Sequence, residues 1–179
     1  MAEKQSLFNP GMKRKLLAVL RILLLTAAVV YLLIFISNTL LVDDQITVYF
    51  STEDAQYLAA EQRDIIEDHD IYFQIMEELN KGPESDQLSA TIPDEVELLD
   101  YDLEADTLIL NFNLALRENH WGGSTGEILT IYSIVNSYTA LKEVESVQIL
   151  LEGQEVETLV GHLDLSRPLM YNQELVTDN

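Results

Sequence analysis

Residues 107–153 read TLILNFNLALRENHWGGSTGEILTIYSIVNSYTALKEVESVQILLEG, and the hydrophobic period changes repeatedly along them. Leu108, Leu110 and Phe112 alternate with Ile109, Asn111 and Asn113, the two-residue period of a half-buried strand. Ser124 with Glu127 three places later has the form of a capping box, which opens a helix. Ile128, Ile131, Tyr132, Val135, Tyr138 and Leu141 then form one apolar stripe at helical spacing. Several helix residues are β-branched and poor helix formers, so tertiary packing has to hold this segment. Val147, Ile149 and Leu151 restore the alternation, Glu152-Gly153-Gln154 reads as a turn, and Val156–Val160 as a returning strand.

The same alternation of strand and helix signals extends upstream. Ile46–Phe50 is a β-rich run, and a weaker extended stretch covers Tyr57–Ile66. Ile71, Tyr72, Ile75, Met76 and Leu79 recur at helical spacing, with Asp68 or Asp70 as cap and Gly82-Pro83 as stop. Pro93 lies in a loop leading to a strand over Val96–Leu103, and Glu104-Ala105-Asp106 turns into the strand at Thr107. The tail beyond Arg167-Pro168 reads as irregular. The fold class predicted is α/β: one small sandwich, with two helices on one face of a mixed sheet, behind an N-terminal transmembrane helix.

That helix rests on Ile22–Val42, ILLLTAAVVYLLIFISNTLLV, which contains no charged side chain. At helical rise the run is roughly 30 Å long, the hydrocarbon thickness of a bilayer. Lys4, Lys13, Arg14, Lys15 and Arg21 precede it against Glu3 alone, and Asp43 and Asp44 follow at once. The positive-inside rule puts residues 1–21 in the cytoplasm and residues 43–179 outside, a single pass through the cell membrane. The competing reading is a cleaved signal peptide, but nothing after Ile36 offers a convincing small-residue cleavage site.

Residues 43–179 hold 30 of the 31 acids against Arg63, Lys81, Arg117, Lys142 and Arg167, a net charge of −25. Such a surface argues against nucleic acid as a partner, because phosphates need clustered Lys and Arg. The absence of cysteine excludes a disulfide scaffold, thiolate zinc sites, a cysteine nucleophile and a lipid-carrying cysteine.

The order of signals resembles a known family. It comprises the membrane-proximal VYF strand, a helix ending in LNKGP (Leu79 to Pro83), IPDEVELL (Ile92 to Leu99) and LILNF (Leu108 to Phe112). A small-residue loop, a helix rich in Ile and Val, and VQILLEG (Val147 to Gly153) complete it. This resembles the GerMN domain, the sporulation and spore germination family, over roughly Ile46 to Pro168. The resemblance implies a non-enzymatic, extracytoplasmic α/β domain in membrane-tethered proteins of Gram-positive bacteria, with no catalytic residues to carry over. This chain shows one copy where the germination protein has two in tandem. It also has a transmembrane anchor where many relatives use a lipid.

No motif carries chemistry, so no catalytic, cofactor-binding or metal-ligating residue and no cofactor is assigned. The loop Gly122-Gly123-Ser124-Thr125-Gly126 precedes a helix but lacks the Lys of a phosphate loop, and Ser124 is not in a Gly-x-Ser-x-Gly elbow. His69, His120 and His162 have no helical-spacing partners for a metal. Asp100, Asp102, Glu104 and Asp106 alternate as in a calcium loop, but Ala105 and Asn111 occupy the places of its glycine and glutamate. Trp121, the single tryptophan, is either a binding anchor or buried over the sheet.

These readings favour a membrane-anchored interaction or assembly module of the bacterial envelope, with envelope proteins or further copies of itself as partners. The alternative is a ligand-sensing or substrate-binding ectodomain that signals through a membrane partner.

Overall fold

The computed structural model describes residues 10–40 and 45–177. Glu3, Lys4, the end of the expected span at Leu41 and Val42, and Asp43 and Asp44 lie outside them. The chain divides into two compact units, Met1–Asp43 and Asp44–Asn179.

The first unit is one helix, α1 (Pro10–Leu40), within which Arg14–Leu33 is long and apolar enough to cross a membrane. Leu16, Leu17, Leu20, Leu23, Leu25 and Leu33 are each more than half exposed. A helix apolar on all sides is stable only in a non-aqueous surrounding.

The second unit is mixed α/β, as the periodicities predict, with its strands divided between two sheets. β1 (Gln45–Thr52) pairs antiparallel with β2 (Leu58–Asp64) on one side. Next comes α2 (Ile71–Lys81), whose N-cap is Asp70: its carboxylate accepts from the N–H groups of Tyr72 and Phe73. Gly82 ends α2 at φ 83° and ψ −178°, an extended positive-φ conformation reserved for glycine rather than the left-handed turn common at helix ends. β3 (Leu88–Ser89) adds two residues to the other side of β1, at Ser51 and Thr52.

The second sheet starts with the hairpin of β4 (Leu98–Glu104) and β5 (Thr107–Phe112), which turns at Ala105 with φ 57°. A short helix, α3 (Ala115–Glu118), and the long α4 (Ser124–Tyr138) then cross to β6 (Ser146–Leu151), which runs parallel to β5. β7 (Gln154–Glu155) and β8 (Leu169–Met170) both pair antiparallel with β6, and a 3-10 turn over Gln173–Leu175 follows. The tail, expected to be irregular, is so apart from the two-residue β8 and the 3-10 turn.

Both sheets, α2 and α4 share one core. Ile46, Val48 and Phe50 of β1, Ile75 and Leu79 of α2, Leu108, Leu110 and Phe112 of β5, and Ile131 and Tyr138 of α4 all belong to it. α4 is buried over most of its circumference rather than along one stripe, because it touches β1, β6 and β8 together.

Two local readings are corrected. Ser124 makes no capping bond, and the N-cap of α4 is Gly123. The carboxylate of Glu127 instead lies buried and accepts from the N–H groups of Leu159, Val160 and His162 at 2.7–2.9 Å. Arg117 completes the hold by donating to the carbonyls of Thr158 and Leu159. Val156–Val160 is for that reason not a strand: the backbone groups a ladder would use are spent on two charged side chains.

Candidate functional site

A cleft of about 290 Å3 opens where the end of β1, the residues after β3 and the first turn of α4 meet. Ser51, Ser89, Ala90, Thr91, Trp121, Thr125 and Gly126 line it together with the buried Leu129. Small residues make the space: Gly122, Gly126 and Ala90 carry little or no side chain into it.

Trp121 stands beside the cleft with 58% of its surface exposed. One face stacks on His120, with centroids 5.2 Å apart and planes 21° from parallel. Its edge rests on Gly126, where an added Cβ would lie 2.8 Å from the indole Nε1. His120 is itself fixed: Nδ1 accepts from the Gly122 N–H at 2.9 Å, and Nε2 meets Thr130 Oγ1 at 3.3 Å. Thr130 Oγ1 donates to the Thr91 carbonyl, so Nε2 carries the proton and donates to Thr130. Burial pushes the imidazole below its usual pKa and keeps it neutral, although a backbone hydrogen bond at Gly126 and the charge of Glu127 act in the other direction.

From His120 a line of hydroxyls runs under the cleft along α4. Thr130 reaches the carbonyl of Thr91, and Thr91 Oγ1 and Ser133 Oγ are 2.5 Å apart. Ser133 then donates to the carbonyl of Tyr49. These hydroxyls are committed to structure. Those of Ser89 and Thr125, at the exposed rim, have no hydrogen-bond partner among the described residues. Both nitrogens of His120 are engaged. The arrangement offers stacking and hydrogen bonding.

The other residues weighed from the sequence do not converge on this cleft. His69 pairs with Glu77 at 3.3 Å, and His162 Nδ1 lies 3.0 Å from Glu127 in the loop after β7. Asp100 accepts from Asn111 Nδ2, while Asp102 and Glu104 lie exposed along β4, whose outer edge is unpaired among the described strands. Among the described residues, no three His, Asp or Glu side chains are placed to hold a metal ion.

The sequence reading missed a second polar centre, around Arg63. It is buried, contacts Glu61 at 2.5 Å and Glu78 at 3.3 Å, and sits over the Phe50 ring at 5.7 Å. Glu61 in turn accepts from the N–H groups of Glu84 and Ser85, which ties β2 to the turn after α2. The signal available was a lone Arg within β2, two residues from an acid.

Comparison with known proteins adds family and fold. The family described as sporulation and spore germination, Germane, matches residues 47–157. Among solved structures, the chain is similar to the tandem GerMN domains of the sporulation protein GerM from Bacillus subtilis, with a TM-score of 0.62 and 23% identity. That match covers 74% of this chain and 47% of the tandem structure, so the chain spans about half of that relative. The first GerMN domain of the same protein matches with a TM-score of 0.58 and 16% identity, covering 73% of this chain and 98% of that domain. A putative lipoprotein from Clostridium perfringens matches with a TM-score of 0.50 and 26% identity, over 73% of this chain and 87% of that one. No curated protein sequence matches the chain.

Proposed function

We propose, because this chain belongs to the Germane family of sporulation and spore germination, that it is a membrane-anchored, non-enzymatic assembly module of the bacterial cell envelope. α1 carries the proposal: its leucines stay exposed on every described side, and a lipid bilayer is the surrounding that stabilises such a helix. The basic residues in its N-terminal part, Lys13, Arg14, Lys15 and Arg21, and the acids after it set the orientation, with the N-terminus in the cytoplasm and the Germane domain outside. Envelope proteins with a basic face, or further copies of the chain, are the partners of such a domain, and a role in sporulation or germination is the family's context for it.

Cysteine accessibility tests this reading. A cysteine replacing Asp178 reacts with an impermeant thiol reagent on intact cells, and one replacing Ser6 does not. Membrane-extracted protein keeps its original N-terminus. A mature terminus after Ser37 would make α1 a signal sequence and the domain a released one. Crosslinking in intact cells then yields a discrete adduct with an envelope protein or with a second copy; monomer alone would overturn the assembly role.

One observation favours a second reading, a ligand-sensing or substrate-binding ectodomain: the open cleft beside Trp121.

A further inference from the structure

We propose that the cleft beside Trp121 binds a neutral saccharide, one sugar ring stacking on the indole while its hydroxyls meet those of Ser89 and Thr125. This rests on the ligand-binding reading of the domain and is independent of membrane orientation.

The first support is the state of Trp121. An indole 58% exposed leaves a large apolar face in water, available to a partner that buries it. This ring is instead held out and immobilised, by His120 beneath it and Gly126 at its edge. A rigid aromatic plate costs little entropy on binding, and its electron-rich face attracts the weakly positive C–H groups on the flat side of a pyranose.

The second support is charge. Residues 43–179 carry −25, yet no ionisable side chain lines the cleft. Phosphates and carboxylates would be repelled by the surrounding field, and a cation would find no counter-charge in the lining. A neutral ligand avoids both penalties.

The third support is the pattern of polar groups. Unpartnered hydroxyls at Ser89 and Thr125 border methyl groups at Ala90 and Leu129, a mixture that matches the alternating hydroxyl and C–H surface of a sugar. At about 290 Å3 the space is at the small end of ligand sites and suits one or two rings. A peptide strand docks by pairing with an open backbone edge; β3 and the serines of α4 occupy that side of β1, and among the described strands only the outer edge of the two-residue β3 is left there, too short to hold a strand.

The chain's single tryptophan makes the test direct. Full-length protein in a sugar-free zwitterionic detergent is titrated with chitotriose, a neutral N-acetylglucosamine trimer, while Trp121 emission is followed. A parallel titration uses an uncharged proline-rich peptide, which also stacks on aromatic rings. Chitotriose produces a saturable blue shift and protects Trp121 from acrylamide quenching; the peptide does neither. Gly126→Ala keeps the reporter but drives a methyl into the indole edge, and weakens chitotriose binding by about tenfold or more. Thr125→Val, at an exposed rim position that leaves the ring in place, weakens it several-fold with an unchanged melting temperature. An unsaturable chitotriose response, or equal affinity in both variants, overturns the saccharide assignment. Peptide binding in its place overturns the saccharide but keeps a ligand-binding ectodomain. Binding of neither probe removes both.

Discussion

Ser133 Oγ donates to the backbone carbonyl of Tyr49 at 2.5 Å, and Ser137, one turn further along α4, accepts from the N–H of the same residue at 3.0 Å. β3 reaches β1 only at Ser51 and Thr52, so the earlier part of that edge would otherwise be buried backbone without partners. Two hydroxyls on a helix thus take the place of a missing strand at Tyr49. Ser133→Ala orphans the Tyr49 carbonyl and Ser137→Ala its N–H, each at a cost of about 1–3 kcal/mol in denaturant unfolding. Ser124→Ala is the control. A working cap would lose about 1 kcal/mol, but Ser124 makes no cap bond here, and its replacement leaves stability within about 0.5 kcal/mol.

Arg63 is a buried cation in a strongly acidic unit, and both nearest carboxylates, Glu61 and Glu78, are themselves largely buried. Arg63→Met keeps much of the aliphatic volume over Phe50 but leaves Glu61 without its counter-charge and Glu78 with Lys81 alone, at 2.6 Å. It destabilises by about 3–5 kcal/mol. Arg63→Met combined with Glu61→Gln and Glu78→Gln recovers a measurable part of that loss in the same unfolding assay. No recovery would mean that Arg63 acts through packing alone.

The elements most legible in the sequence are those where side-chain period and burial coincide. Leu108, Leu110 and Phe112 are fully buried in β5, and Ile75 and Leu79 in α2, as their spacing predicts. Leu110→Ala or Ile131→Ala accordingly costs about 2–5 kcal/mol by chemical denaturation. Elements held by single long-range contacts were not legible. β3 and β8 are two residues each, too short to show a period, and exist because β1 and β6 offer backbone to pair with. Glu127 fits a capping pattern locally, yet its carboxylate serves backbone more than thirty residues away. The cleft is half legible: a single tryptophan in a loop reads as an anchor or as a ring buried over the sheet, and its support on His120 and Gly126, which decides between them, depends on folding.

Glu127 ties stability to pH. Burial alone would raise its carboxyl pKa, but hydrogen bonds from the backbone of Val160, His162 and Leu159 and from the His162 side chain together hold it below the ordinary value of 4.5. A carboxyl whose folded pKa is depressed contributes stability fully present above its unfolded pKa and lost as pH falls through the folded one. The gap in melting temperature between the native chain and Glu127→Gln is therefore largest at pH 6–7 and narrows as pH drops below about 4.5. At neutral pH the substitution costs about 1–3 kcal/mol, because an amide offers the loop one acceptor oxygen in place of two. A gap independent of pH would show that the amide's shape, rather than the lost charge, sets the cost.

The acidic field makes a prediction about assembly that separates its two forms. A charge of −25 over residues 43–179 opposes both the compact state and the approach of a second copy. Asp102 and Glu104 place acids along the unpaired edge of β4, where strand-to-strand association would begin. Physiological salt shortens the screening length to about 8 Å and so relieves both repulsions. The isolated unit accordingly melts at higher temperature, and self-associates more readily in light scattering, as NaCl rises from low to moderate concentration. Glu104→Lys together with Asp102→Lys reduces the salt needed for that association. A partner with a basic face behaves oppositely, binding most tightly at low salt and weakening as NaCl is added. Magnesium acts on the melting temperature at lower concentration than sodium, without one saturable site, because diffuse screening rather than coordination is at work. A melting temperature flat across the series would mean that the acids are too far apart to repel, and the charge would then decide neither form of assembly.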